Sequence, residues 1–358
     1  MFRSHKVYSL VLKSKIKILM TGAGAPGGPG IIKCLKQDSR IDLVVGDMDC
    51  NASGKYLADS FIQLPSAKDD SFIEHVLDIC IQNNIEMIFP LVTMELFKFS
   101  KSIKLFKKHN IHVVVSDFDS LSIANDKIAL YQHLDINGIV VPDYRVAKNN
   151  DDLFNAIHEL GYPEKPIAIK PGIANGSRGV RIINDGIDRF DLMFNYKPNN
   201  LYLSLSELKS ILKNKEIPDM LVSEFLPGPE LTIDTVVNSK HELEIALIRT
   251  RDKMNNGISV AGRFIESGHV KKYCSEIINS MKLMGPIGIQ VKESCDGEFK
   301  IIEMNPRIQG TSVAALGLGI NLPMHSISSI LNWKVDPIIK SSGVGFARFY
   351  DEVYFESN

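Results

Sequence analysis

The chain has 358 residues and a mass of 39.9 kDa, long for a single core and suited to about two or three units sharing interfaces. With 44% hydrophobic and 23% charged residues and a formal net charge of -1, it reads as a globular protein with small-molecule partners, and the balanced charge argues against nucleic acid. The five cysteines, Cys34, Cys50, Cys80, Cys274 and Cys295, contain no CxxC pair that would suggest zinc or a redox dithiol.

Residues 1–14 mix Arg3, His5, Lys6 and Lys13 with the apolar patch Val7–Leu12, too short and interrupted for a signal peptide or membrane span. They read as a short extension of a cytoplasmic protein. From Ile16 to about Ser116, short apolar runs alternate with helical patterns: Ile16–Met20, a Gly-rich turn, Ile31–Lys36, Ile41–Gly46, Phe72–Asn83, Met87–Phe89, Ser100–His109 and Val113–Val115. That alternation predicts a parallel, doubly wound sheet over 15–116. A second unit, 117–335, opens near Asn125-Asp126-Lys127 with a helix over Lys127–Leu134, followed by the extended runs Val140–Val146, Ile167–Lys170 and Val180–Ile183. The Lys/Asn-rich stretch Asn184–Pro218 reads as a surface insertion or mobile lid, within a small lid subdomain over about 140–225. Then come strands Met220–Phe225, Leu231–Val237 and Leu243–Arg249, a loop, a helix Lys271–Met284, a hairpin from Ile287 to Met304 and a helical stretch Ser312–Leu331, leaving 336–358 as a tail.

Gly22-Ala-Gly24-Ala-Pro-Gly27 fits GxGxxG after a strand, and Asp47 or Asp49 ends the next strand, as in a dinucleotide fingerprint. An NAD-dependent oxidoreductase would follow from this alone. Pro26 and Pro29, however, crowd the helix start and remove amide donors a pyrophosphate needs, and nothing downstream resembles a hydride-transfer site. A turn that is structural, or faces another substrate, fits better.

More chemistry lies further on. Strand Ile167–Lys170 runs into Pro171–Gly179, a glycine loop between two strands, where backbone amides can close over phosphates and Lys170 supplies a point charge. Glu224 closes a strand before a Pro-Gly-Pro bend, where its carboxylate and the next backbone groups could hold an adenine. Beyond the bend, Glu230, Thr232 and Asp234 share one strand face, and Glu230 suits a ribose. If Asp296-Gly297 is a two-residue turn, Cys295 pairs with Glu298 and Gln290 falls opposite Glu303, with Asn305 on the same face. Three oxygen-bearing side chains then form a plausible octahedral Mg²⁺ site completed by phosphate and water. Arg307, stiffened by the preceding proline, can hold a carboxylate or a transferring phosphoryl group. Arg249, Arg251, Lys253 and Arg263 add charge around the Gly257 and Gly262 loop, which fits an anionic substrate or a solvated loop equally.

These elements, in this order, resemble the ATP-grasp superfamily, and especially the carbamoyl-phosphate-synthetase-like branch with its small single-copy carboxylate–amine ligases. The resemblance covers roughly residues 15–335. It implies a preATP-grasp sheet followed by an ATP-grasp fold of two α+β subdomains. It also implies that Lys127 and Lys170 contact ATP phosphates, that the Gly172–Gly179 loop with Gly176, Ser177 and Gly179 covers them, that Glu224, Phe225 and Leu226 form the adenine hinge, and that Glu230 binds ribose. Gln290, Glu303 and Asn305 would hold Mg²⁺ or Mn²⁺, and Arg307 would lie beside an acyl phosphate. Two departures narrow the expectation: the chain has one ATP-grasp unit where carbamoyl-phosphate synthetase large subunits have two in tandem, and Gln290 replaces the acid of D-alanine ligases. The expected protein is a stand-alone, ADP-forming ligase joining a small carboxylate to an amine, with no nucleic acid or membrane partner and a homodimer allowed. Rival readings are a carbamoyl-phosphate-synthetase-like ATP-binding subunit, a nucleotide-binding module without turnover and, behind these, the oxidoreductase.

Overall fold

A computed structural model describes residues 15–174, 176, 178–195, 201–255, 257–334 and 340–356. The expected extension 1–14, Ser177, residues 196–200 of the expected insertion, residue 335 at the end of the expected second unit, and 336–339 and 357–358 of the expected tail lie outside the described residues. The chain divides into two compact units, one built on residues up to Glu95, on Ser102–Val113 and on the segment from Val353 onward, the other on Leu96–Lys101 and Val114–Glu352.

The first unit alternates β1 (Ile16–Thr21), α1 (Gly28–Leu35), β2 (Ile41–Asp47), β3 (Ser60–Gln63), α2 (Phe72–Gln82), β4 (Met87–Phe89), α3 (Thr93–Lys108) and β5 (His112–Val113). All neighbours in its sheet pair in parallel, in the order β3-β2-β1-β4-β5. The strands are apolar because both sheet faces are covered: Ile18, Leu19 and Met20 of β1 have no exposed surface. Helix α3 begins at Thr93, seven residues before the expected Ser100, because Leu96 and Phe99 already bury one face of its first turns.

The second unit opens with α4 (Phe118–Asn125) and α5 (Lys127–Ile136). Asp117 and Asp126 cap their N-termini, each carboxylate accepting from two backbone amides. A small sheet follows: β6 (Tyr144–Ala147), α6 (Asn150–Glu159), β7 (Ile167–Pro171), β8 (Arg181–Ile183), α7 (Arg189–Asn195), β9 (Tyr202–Leu203), α8 (Leu205–Leu212) and β10 (Met220–Glu224), with strand order β6-β10-β7-β8-β9. The polar stretch 184–218 is therefore not simply a surface insertion. Strand β9 extends the sheet beside β8, and Leu205 and Leu208 of α8 close its core with Leu153, Ile157, Ile167 and Val222. A capping box between Ser204 and Glu207 starts α8 at that point.

The large sheet is built from β11 (Glu230–Val237), β12 (Leu243–Thr250), β13 (Lys253–Asn255), β14 (Ile258–Ile265), α9 (Gly268–Asn279), β15 (Gly285–Glu293), β16 (Phe299–Asn305), α10 (Leu322–Leu331) and β17 (Gly345–Ala347). Its order is β13-β14-β12-β11-β15-β16, with β17 against β14. The segment expected as a loop after Arg249 is thus a pair of strands, and the expected tail contributes a third. Among the described residues no single helix is long and apolar enough to cross a membrane.

Candidate functional site

Alternation along antiparallel strands sorts the large sheet into an apolar and a polar face. Leu231, Ile233, Ile248, Ile289, Val291, Ile301 and Met304 enter one core with Tyr131 and Leu134 of α5 and Ile277 of α9. The residues between them point the other way. Register then aligns Arg249, Thr232, Gln290 and Glu303 in a row across β12, β11, β15 and β16. The adjoining row places Asp234 opposite Gly288 and Gly288 opposite Asn305, while on the other side Glu230 faces Lys292.

The pairing of Gln290 with Glu303 agrees with the sequence count, but the hairpin reaches it by another route. Ser294, not Cys295, faces Glu298: the Ser294 amide donates to the Glu298 carbonyl at 2.8 Å, and the Gly297 amide returns to Ser294 O at 3.1 Å. The loop is therefore three residues, with Gly297 in the left-handed region at φ +79. One residue of slip results, and a bulge removes it, since Gln290 pairs with Glu303 while Val291 pairs with Ile301. Ile302 is the additional residue. Its carbonyl accepts from Lys170 Nζ at 3.1 Å.

Two lysines of the expected site converge on this strand. Lys170, at the end of β7, also donates to Tyr131 Oη at 3.1 Å, and Tyr131 in turn donates to Ile301 O at 2.7 Å. Burial, reinforced by the neighbouring Lys127 charge, lowers Lys170 from 10.5 to about 7. Lys127 Nζ lies 3.8 Å from Glu303 Oε2 and donates to Ala174 O at 3.0 Å. Asn305 Nδ2 donates to Glu303 Oε1 at 3.2 Å. In the glycine loop, Gly176 and Gly179 have φ of +65 and +77, and a Cβ on Gly179 would meet Pro171 at 2.6 Å, so both positions need glycine.

At the end of β10 the Glu224 carboxylate accepts from Lys300 Nζ at 2.5 Å and from the Asp143 amide at 3.1 Å. It is engaged by the protein, not held open as the sequence reading allowed. Leu226 is buried, and Lys292 Nζ stands 4.9 Å over the Phe225 ring. Glu230 forms an ion pair with Arg251 at 2.8 Å; burial raises its carboxyl, against the Arg251 charge. The basic cluster after β12 is therefore divided: Arg249 is buried on Asp234, Arg251 is tied to Glu230, and Lys253 is exposed. Arg307 Nη1 donates to Ile308 O at 3.0 Å, and burial lowers its pKa while Glu303 opposes that.

Sequence reasoning missed Tyr131, Lys292, Lys300 and the Arg249–Asp234 pair, since nothing local marks a core tyrosine or a strand lysine as part of a site. In the first unit, Thr21 donates to the buried Glu95, whose pKa burial pushes up to about 7. The Gly24 and Asp49 amides occupy the two Asp47 oxygens at 2.8 and 3.0 Å. Asp47, one of the two acids that could reach a dinucleotide ribose, is thus tied to its own loop.

Residues 216–345 match the family described as ATP-grasp in the biosynthetic pathway with Ter operon, and residues 18–125 match the PylC-like N-terminal domain. The large chain of carbamoyl phosphate synthase from Thermotoga petrophila is 22% identical over 240 residues, covering 64% of this chain and 20% of that protein. The chain spans about a fifth of that relative's length. Among solved structures, an ADP complex of purK, N5-carboxyaminoimidazole ribonucleotide synthetase, superposes with a TM-score of 0.69 at 16% identity over 92% of this chain and 80% of that one. The L-amino acid ligase from Bacillus licheniformis gives 0.63 at 14% identity over 88% and 74%. Those likenesses show a shared fold. With both matches in chain order, the chain carries an ATP-grasp domain over residues 216–345, preceded over residues 18–125 by a stretch similar to the PylC-like N-terminal domain.

Proposed function

We propose that this protein is an ADP-forming ligase that activates a small carboxylate as an acyl phosphate and passes the acyl group to an amine. The observation that carries the reading is the convergence of Lys127 and Lys170 on the strand that presents Glu303, opposite Gln290 and beside Asn305. Two buried cations facing a carboxylate across a glycine loop suit a polyphosphate. The donor set of Glu303 with the amide oxygens of Gln290 and Asn305 fits Mg²⁺ or Mn²⁺, hard ions that accept few protein ligands when phosphate and water supply the rest. Such an ion would neutralise charge on the phosphates. Among the described residues no cluster of three His, Cys, Asp or Glu offers a metal a different home.

On this reading Lys170 and Lys127 hold the phosphates, Gly176 and Gly179 let the loop close over them, and Glu230 meets the ribose. With the Glu224 side chain spent on Lys300, the backbone at Phe225 and Leu226 is what meets the adenine. Arg307 steadies the reacting carboxylate. A carboxylate oxygen bonds to the γ-phosphorus as its bond to the β-phosphate oxygen breaks, releasing ADP. The amine then bonds to the acyl carbon and displaces phosphate, losing a proton. The five free cysteines and the need for ATP support a cytoplasmic setting.

The reaction type is tested by supplying MgATP, a panel of acids and hydroxylamine. A hydroxamate with ADP and phosphate is expected; AMP and pyrophosphate would mean adenylation and would end the acyl phosphate reading. A second expectation concerns Lys170. Phosphate anions favour its charged form, so a group near pKa 7 should take up a proton when nucleotide binds at pH 7.5–8. Calorimetry of ATP binding in two buffers of different ionisation enthalpy should show that uptake in the wild type and lose it in Lys170→Met. Without nucleotide the sign is fixed by linkage. The folded pKa lies below the ordinary 10.5, so the stability difference between wild type and Lys170→Met should rise with pH from about 7 to 10.5 and fall as pH drops through that window.

A further inference from the structure

The outer edge of the large sheet is closed by side chains. Among the described residues no strand other than β15 pairs with β16, so the N–H and C=O groups on its far side need other partners. Ile301 finds both in tyrosines of two different helices. Its amide donates to Tyr273 Oη of α9 at 3.1 Å, and its carbonyl accepts from Tyr131 Oη of α5 at 2.7 Å. Tyr273 gives its own proton to Val140 O at 2.5 Å. One residue on, Ile302 O accepts from Lys170 Nζ at 3.1 Å, and the same ammonium donates to Tyr131 Oη, also at 3.1 Å. Helix α5 and strands β7 and β16 thus meet at one nitrogen.

The bulge makes this junction. Successive carbonyls of a regular strand point to opposite sides, yet those of Ile301 and Ile302 reach two donors that are themselves 3.1 Å apart. The additional residue is what lets both face away from β15. Chemistry then fixes the protons. A carbonyl can only accept, so the single Tyr131 proton goes to Ile301 O; an ammonium can only donate, so a hydroxyl lone pair faces Lys170. Burial pushes the ionisation of Tyr131 well upward, which keeps that proton in place. The ring is fixed too, with no exposed surface and Tyr144 edge-on at 5.6 Å. Lys170 needs such a holder, since it is only 7% exposed and beside the Lys127 charge, and an unanchored ammonium would turn away toward water.

Resting on the role of Lys170 as a phosphate ligand proposed above, we infer that Tyr131 is a positioning residue for this lysine: its hydroxyl and the bulge carbonyl of Ile302 hold the ammonium in place before nucleotide arrives. Two of the three N–H groups are then engaged by the chain, and the third is left for a phosphate oxygen. An ammonium fixed in advance loses little freedom on binding, which strengthens the contact it makes. Tyr273 supplies the contrast. It bonds the same residue of β16, but its hydroxyl is engaged with Val140 and Ile301 and not with Lys170. One tyrosine therefore holds the strand alone, while the other holds the strand and the lysine.

Calorimetry of MgATP binding to the full-length protein tests this, with urea unfolding measured alongside. Tyr131→Phe, which keeps the ring and removes only the hydroxyl, should weaken MgATP by about fivefold or more. Tyr273→Phe should lose comparable stability yet bind MgATP within about twofold of wild type. In a Lys170→Met background, itself weakened, adding Tyr131→Phe should change MgATP affinity by less than about twofold, because the group through which Tyr131 acts is gone. Weakening in Lys170→Met with none in Tyr131→Phe overturns the inference and keeps the phosphate role of Lys170. Equal weakening by the two tyrosine changes, or a further full loss in the double variant, makes Tyr131 a support of β16 alone and overturns the inference as well. Undiminished binding by Lys170→Met removes the phosphate role and the inference with it. A structure of the wild type with MgADP is a check independent of any variant. Lys170 Nζ should meet a phosphate oxygen while still bonded to Tyr131 Oη and Ile302 O, and a lysine that leaves both to reach the phosphate overturns the inference.

Discussion

Glu303→Gln is expected to lower MgATP turnover by at least about a hundredfold, because it removes the only carboxylate among the three proposed metal-facing side chains. The substitution keeps the size of the side chain and its place on β16. Glu303 is only partly buried, with 31% of its side chain exposed, and its ion pair with Lys127 is long at 3.8 Å. Stability should therefore change by no more than about 0.5 kcal/mol. Loss of ADP release with an unchanged urea midpoint is the expected pair of results. A variant that keeps more than a tenth of wild-type turnover at saturating magnesium would take Glu303 out of the proposed site. Gln290→Met should cost less, since an uncharged ligand contributes less to holding a divalent ion.

How much of this site was legible in advance depends on which distances in sequence its parts span. The doubly wound sheet could be read because each parallel strand, covered on both faces, is a continuous apolar run such as Ile16–Met20. The pairing of Gln290 with Glu303 could be counted because a hairpin is local, yet the count was right for an incomplete reason. A three-residue loop moved the register by one and the bulge at Ile302 moved it back, and no pattern in the apolar residues reports a bulge. The run 184–218 reads in sequence as a surface insertion or mobile lid because its Lys, Asn and Asp residues draw the eye, while Leu205 and Leu208, spaced for one buried helix face, belong to the core of the small sheet. Arg249 could not be assigned at all. Its burial depends on Asp234 across one strand pair and on Ser312, 78 residues from Asp234, and such partners are invisible until the chain folds.

That pair leads to the largest effect expected on stability. Asp234→Ala should destabilise the second unit by about 3–5 kcal/mol, the usual cost of leaving one member of a buried ion pair alone. The side chains of Arg249 and Asp234 are 1% and 3% exposed, and they meet at 2.7 Å, so water cannot compensate for the missing acid. Ser312 Oγ would lose its acceptor as well. Neither the pair's proximity nor its burial shows that it stabilises the fold relative to an apolar alternative, because desolvating two charges offsets most of their attraction. The double variant Asp234→Leu with Arg249→Met separates these effects. It removes both charges, keeps much of the volume, and should recover at least half of the stability lost in Asp234→Ala when both are compared by urea unfolding. For a unit of this size the single change corresponds to a fall in melting temperature of roughly 6–20 °C. A loss below about 1 kcal/mol in Asp234→Ala would mean that water or a rearranged carboxylate reaches Arg249. Failure of the double variant to recover would mean that the packing of Ser312 against β11, more than the uncompensated charge, holds this end of the sheet.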